Sequence, residues 1–288
     1  MSPTSAEITY REMIASDIPA GQALCEAAGW NQVARDWMQF LHLSPRGCRV
    51  AVRNHEVIGT ATTVNYENRF AWIGMVLVDP AVRRQGVGAR LLGETLAILR
   101  DNPCARLDAT PAGHAVYLKL GFVDEYEISR MQVTLPDVGC LAAHNPARPL
   151  TRADLPAVLA LDHEVFGADR GPLLRWMLEG APGYAWAVTE NDMVAGYCLG
   201  RSGQRYEHIG PVVARDQRMA QMLVSACLAG QQGHPCLVDA PAVNTEWIAW
   251  LTHAGFTRQR TLTRMYRGEH RWPGTPEKLF AILGPEFG

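Results

Sequence analysis

Val76-Leu77-Val78-Asp79-Pro80-Ala81-Val82-Arg83-Arg84-Gln85-Gly86-Val87-Gly88-Ala89-Arg90-Leu91-Leu92 reads as a strand stopped by Asp79-Pro80, a short basic loop with two glycines, and the opening of a helix. The residues leading into it, from Phe70, are almost continuously apolar, which suits a central strand covered on both faces. Beyond it, Val87, Leu91, Leu92, Leu96 and Leu99 recur at helical spacing, which predicts a helix from about Gly86 to Arg100. A loop entering a helix presents backbone N–H groups without intrahelical acceptors at the positive end of the helix dipole, so it favours an anion such as a pyrophosphate. Gly86 and Gly88 allow close approach of the backbone. Arg83 and Arg84 add fixed positive charge in a planar fork that suits phosphate. No Gly-Lys-Ser/Thr follows the glycines, which excludes a Walker A loop, and a dinucleotide-binding fingerprint would need one more Gly and a parallel βαβ repeat.

Moving outward, the chain is written twice. At an offset of 137, Arg11 to Ala20 falls on Arg148 to Ala157, Asn54 on Asn191 and Gly59 on Gly196. Trp72 to Val76 falls on His208 to Val212 at 136, and Gly121-Phe122 with Arg130-Met131 falls on Gly255-Phe256 with Arg264-Met265 at 134. Ordered matches with small drift indicate a duplicated domain, because the period is far longer than a solenoid repeat. The expected domains are residues 1–138 and 147–288, joined through the Pro-rich stretch Pro136 to Pro149. Each copy reads strand, helix, helix, three strands, helix, strand, helix, strand. Asp17 before Ile18-Pro19 is an N-cap signal, and Asn54-His55-Glu56 is the turn of a hairpin between Val50 to Val52 and Val57 to Val64.

The stretch from Val76 to Leu92 resembles motif A of the GNAT acetyltransferases, whose loop reads Arg/Gln-x-x-Gly-x-Gly/Ala, here Arg83-x-x-Gly86-x-Gly88. About thirty residues on, Tyr117-Leu118-Lys119-Leu120-Gly121-Phe122 resembles the family's motif B, Tyr-x-x-x-Gly-Phe. The whole chain resembles the tandem acetyltransferases of the YitH type, through Phe166-Gly167-Ala168-Asp169-Arg170 and His208-Ile209-Gly210-Pro211 in the second copy. The resemblance implies an α/β (α+β) protein of two tandem GNAT folds, each a mixed, mostly antiparallel sheet flanked by helices. It implies acetyl-CoA as co-substrate, transferred directly to a primary amine in a ternary complex. Val76, Leu77 and Val78 would line the pantetheine arm, and the amides of Arg84, Gln85, Gly86, Val87, Gly88 and Ala89, with the charge of Arg83 and Arg84, would hold the pyrophosphate. Tyr117 would sit near the thioester sulfur as the general acid, a role suited to a phenol that stays protonated at neutral pH. The other reading of Tyr117 is a core aromatic with a satisfied hydroxyl.

An alkylammonium of pKa about 10 must lose its proton before it attacks a thioester. Family members often carry a Glu on the central strand for this, but Phe70 to Met75 contains no carboxylate, so the base is left open among Asp36, Asp108 and His208. That gap supports a rival reading, a CoA-binding sensor that transfers nothing. The acceptor would face Trp30, Asn31 and Asp36 in the loop region between the first two helices, and Trp72 on the central strand. Asp169 and His208 are their counterparts in the second copy, where buried polar residues either satisfy one another or face a ligand. The second copy has no counterpart of either glycine, reads Val213 to Leu223 in place of the loop, and has Leu251 for Tyr117, so one acetyl-CoA site per chain is expected.

Composition narrows the classes. The 288 residues are 48% hydrophobic and 19% charged, as in a packed globular protein. Lys+Arg 27 against Asp+Glu 29 supplies no basic stripe for nucleic acid, so a small-molecule amine or peptide is the expected partner. No apolar run spans a membrane and the first residues lack a signal-peptide pattern, which predicts a cytoplasmic protein. The seven cysteines lack a C-x-x-C pair and the histidines an i, i+4 pair, so no metal is expected. Oligomeric state is not readable.

Overall fold

The computed structural model describes residues 7–134, 145–230 and 233–288. Most of the Pro136 to Pro149 connection lies outside them. The chain forms two compact units, one running to Leu107 and including Phe287, the other running from Asp108 to Glu286 and including Gly288.

The first unit contains β1 (Thr9–Glu12), α1 (Ile18–Ala28), α2 (Ala34–Leu43), β2 (Arg49–Arg53), β3 (Glu56–Tyr66), β4 (Phe70–Val78), α3 (Val87–Ile98) and the start of β5 (Cys104–Ala109). Its strands lie in that order, antiparallel except for the parallel β4–β5 pair. The β2–β3 hairpin closes through Asn54 and His55, both with left-handed φ (53° and 66°), as a two-residue turn between right-twisted strands demands. α3 lays Val87 and Leu91 over Ala51, Ile58 and Ala61. Gly59 permits that approach, since a Cβ there would lie 3.0 Å from Leu91 Cδ1.

The second unit contains α4 (Pro111–Lys119), β6 (Val123–Val133), β7 (Arg148–Pro149), α5 (Leu155–Phe166), α6 (Gly171–Gly180), β8 (Trp186–Glu190), β9 (Met193–Ser202), β10 (Glu207–Ala214), α7 (Gln217–Ala229), β11 (Cys236–Pro241), α8 (Thr245–His253), β12 (Thr257–Gly268) and β13 (Leu279–Ala281). Its strands run β12-β6-β11-β10-β9-β8-β7, with β13 on β10. The element order expected for a copy recurs from β1 to β6 and again from β7 to β12, each a mixed, mostly antiparallel sheet flanked by helices. Among the described residues β13 has no counterpart in the first copy.

Although β6 closes the first copy in sequence, it lies between β12 and β11, antiparallel to both. Its Met131 and Val133 join a core with Leu223 and Val224 of α7, Val238 of β11 and Trp247 and Leu251 of α8. This is why the compact units divide within β5 while the sequence repeat runs on through β6. Two fully buried ion pairs accompany the arrangement: Arg130 of β6 with Asp239 of β11, and Arg264 of β12 with Asp108 of β5. Both are bidentate, at 2.7 to 2.9 Å. Among the described residues no helix is long and apolar enough to cross a membrane, and no three His, Cys, Asp or Glu converge as metal ligands. Cys25, Cys48, Cys104, Cys198, Cys227 and Cys236 are buried and form no disulfide among the described residues, and Cys140 lies outside them.

Candidate active site

β4 is interrupted where the chemistry would need it. Thr60 pairs with Leu77 and Thr62 with Gly74, so β4 carries one more residue than β3 across that interval, and Met75 takes a φ of +50°. The Thr60 hydroxyl donates to the Met75 carbonyl at 2.7 Å and holds the bulge. On its other side β4 pairs with β5 only at Ala71–Ala105 and Trp72–Arg106. The Ile73 to Val78 edge therefore leaves its parallel neighbour, and a β edge released this way offers backbone donors and acceptors to an extended ligand. Leu77 is buried and Val76 and Val78 are half-buried.

Directly downstream, Arg83, Arg84, Gln85, Gly86 and Ala89 are exposed, Gly88 is half-buried, and Val87 anchors the turn in the core. Gly86 is the N-cap of α3 with φ +83°, and no side chain caps the helix. The first helical bond runs from Arg90 N to Gly86 O, so the amides of Val87, Gly88 and Ala89 precede the ladder and point out of the helix end. Arg84 also adopts a left-handed φ, +65°, and Arg83 donates from Nε to the Val78 carbonyl at 3.2 Å. The loop thus presents outward amides preceded by two exposed arginines, chemistry that suits an anion.

Tyr117 lies on the last turn of α4, half-buried, edge-on to Phe122 at 5.9 Å and above Gly113. A Cβ at position 113 would come within 2.9 Å of its ring, so the glycine makes room for it. Burial pushes its phenol up to about 12, which keeps the proton on oxygen throughout the neutral range.

Of the residues expected on the acceptor side, Trp30 is half-buried just after α1, while Asn31 and Asp36 are buried. Asp36 accepts from the Val33 amide at 2.8 Å and so closes the first turn of α2. Trp72 is fully buried on β4, with the Arg106 guanidinium 5.7 Å from its ring centroid. Asp108 is engaged by Arg264, whose third arm reaches the Tyr126 hydroxyl at 2.8 Å. His208 is 2% exposed, and its Nε2 lies 3.3 Å from Asp239 Oδ2 without the alignment of a hydrogen bond. Asp169 is exposed and accepts from the Gly171 amide at 2.7 Å. Its neighbour Arg170 is buried, chelates Asp162 and reaches the Gly288 carbonyl, and Asp162 also accepts from the Tyr197 hydroxyl.

The second copy differs at each of these points. Asp216 caps α7, accepting from the Met219 amide at 2.9 Å, so the helix end that no side chain caps in the first copy is here satisfied by its own carboxylate. β10 parts from β11 after Ile209–Val238, as β4 parts from β5, but β13 runs antiparallel to Val212 and Val213 there, and Ile282 N bonds the Asp239 carbonyl. The chain's own strand therefore lies where the β10–β11 pair opens. Sequence reading missed it because nothing in Leu279-Phe280-Ala281 distinguishes a strand from any short apolar run.

Comparison with known proteins agrees with this architecture. The Acetyltransferase (GNAT) family profile matches residues 18–122 and the Acetyltransferase (GNAT) domain profile matches residues 158–281. The chain is 28% identical over 270 residues to holothin acyltransferase of Pseudoalteromonas sp. (strain SANK 73390), covering 91% of this chain and 88% of that protein. It is 26% identical over 270 residues to the uncharacterized N-acetyltransferase YitH of Bacillus subtilis (strain 168), covering 92% and 93%. In fold it is similar to a Pyrococcus horikoshii structure classed with the acetyltransferases, at TM-score 0.82 and 22% identity over 100% of this chain and 98% of that one. It is also similar to a tandem GNAT protein from the clavulanic acid biosynthesis pathway, at 0.64 and 16% over 91% and 98%. The conjunction of both profiles, one on each copy, shows that the chain belongs to the GNAT acetyltransferase family and is an N-acyltransferase with two GNAT domains in tandem.

Proposed function

We propose that the first copy binds acetyl-CoA and transfers its acetyl group directly to the primary amine of a small molecule or peptide. The observation that carries this reading is the pairing of an uncapped, glycine-opened α3 N-terminus with a β4 edge released from β5 at the Met75 bulge. The amides of Arg84 to Ala89, with Arg83 and Arg84, would hold the pyrophosphate. Val76, Leu77 and Val78 would run along the pantetheine as a neighbouring strand does. Attack of the free amine on the thioester carbonyl forms the amide and expels CoA thiolate, and Tyr117 would donate the proton that sulfur takes up. Trp30, Asn31, Asp36 and Trp72 are our candidates for the acceptor side. Phe70 to Val78 carries no carboxylate, and Asp108 is tied into its ion pair with Arg264. We therefore assign removal of the amine's proton to water rather than to a dedicated side chain.

The second copy is proposed to bind no acetyl-CoA, which is supported by the Asp216 cap and by β13 where β10 and β11 part. The similarity to holothin acyltransferase favours a small-molecule amine over a protein lysine. The test is thiol release from acetyl-CoA across a panel of amines: amine-dependent turnover is expected, and acetyl-CoA binding with no turnover on any amine would count against the reading.

A further inference from the structure

The two copies can be compared rung by rung where β6 and β12 pair. Arg264 stands opposite Tyr126, and Arg130 stands opposite Arg260. At the 134-residue offset Tyr126 falls on Arg260 and Arg130 on Arg264, so these are one rung in two versions. In the first version Arg264 donates Nε and Nη2 to Asp108 and Nη1 to the Tyr126 hydroxyl. In the second, Arg130 donates Nε and Nη2 to Asp239 at 2.7 Å each, but the residue across from it is another arginine. A phenol that can accept has been exchanged for a cation that cannot.

Arg260 is half-buried, and its Nε is shut away from solvent with no acceptor among the described residues. Burial, reinforced by Arg130, lowers its pKa to about 10. On the other side of Asp239 the copies differ again in the same sense: His208 replaces Trp72, nine-tenths buried and more, with an Nε2 that no acceptor meets in line. The other charges acting on Arg130 are Glu286, which pairs with Arg201, and Asp108, which pairs with Arg264. Arg130 is matched by Asp239, Arg201 by Glu286 and Arg264 by Asp108, so the charge of Arg260 is left over with His208 counted as neutral. Adjacent guanidinium groups withdrawn from water are unfavourable unless an anion compensates them.

We propose that this face of the second unit is an oxyanion site, in which a carboxylate or phosphate group of a small ligand lies against Arg260 and Arg130 with His208 as the neighbouring donor. The second copy would then have exchanged a cofactor site for an anion site. The proposal is independent of the α3 loop assignment.

The full chain is titrated with acetate, malonate and inorganic phosphate, against sodium chloride of equal ionic strength, while its melting temperature is followed. The titration is repeated with Arg260→Tyr, which copies the first rung, with Arg260→Gln should the tyrosine variant not fold, and with CoA in excess. A saturable rise beyond the chloride control is expected for at least one oxyanion. It should persist with CoA present, and its midpoint should weaken by about tenfold or more in the Arg260 variant. Response to the carboxylates or to phosphate identifies which group the ligand carries. No saturable rise, an unchanged midpoint in the variant, or loss of the effect with CoA, which would return the anion to the α3 loop, overturns the proposal.

Discussion

Tyr117 and Gly86 are the residues on which the proposed chemistry turns, and the geometry gives each a distinct requirement. Tyr117→Phe keeps the ring that packs on Phe122 and removes only the proton donor. Turnover should fall on the order of 10²-fold with acetyl-CoA affinity within a few-fold, measured as steady-state kinetics beside calorimetry. Wild-type turnover would return Tyr117 to a packing role. Because its phenol titrates at about 12, it is protonated throughout the neutral range, and no alkaline loss of rate below about pH 11 should trace to it. At Gly86 a Cβ would meet nothing in the protein within 4 Å, so the glycine is needed for its φ of +83° and for the ligand that approaches it. Both positions were legible in sequence because each belongs to a local motif. Arg260 was not, since its meaning depends on the rung it forms with a residue 130 positions earlier.

At the scale of elements, the strands and helices from β1 to β6 and from β7 to β12 followed from periodicity and turn signals, which act over a few residues. The Met75 bulge, the place of β6 between β11 and β12, and β13 did not, because each is decided by non-local pairing. The ion pair that ties β6 to β11 makes this testable. Burial alone would raise the Asp239 carboxyl, but its two hydrogen bonds and charge pairing with Arg130 hold it far below the usual carboxylate range. A depressed folded-state pKa means the contribution is complete above the unfolded value of about 4 and is lost as pH falls below it. Thermal stability should therefore drop steeply below about pH 4 in the wild type and less steeply in Asp239→Ala. The variant should also be less stable at pH 7 by roughly 3–5 kcal/mol, because it leaves Arg130 buried and unpaired. An acid limb of equal slope in both proteins would show that this pair does not set it.

At the scale of the whole molecule, the duplication is plain in the sequence, but the compact units divide within β5 and so do not coincide with the copies. A chain stopped at Ala147 would keep β6 and lose β11 and β12, the strands on both of its sides. It should show no cooperative thermal transition by circular dichroism, and a folded, fully active fragment would contradict that. The central claim is a single acetyl-CoA site per chain, at the α3 N-terminus of the first copy. Calorimetric titration of the full chain with acetyl-CoA tests it most directly, run beside Gly86→Val, which strains the loop, and Asp216→Asn, which alters the corresponding helix end of the second copy. The prediction is one site per chain in the wild type, affinity weakened about tenfold or more by Gly86→Val, and no change with Asp216→Asn. Two equivalent sites, or full affinity in a folded Gly86→Val protein, would contradict it.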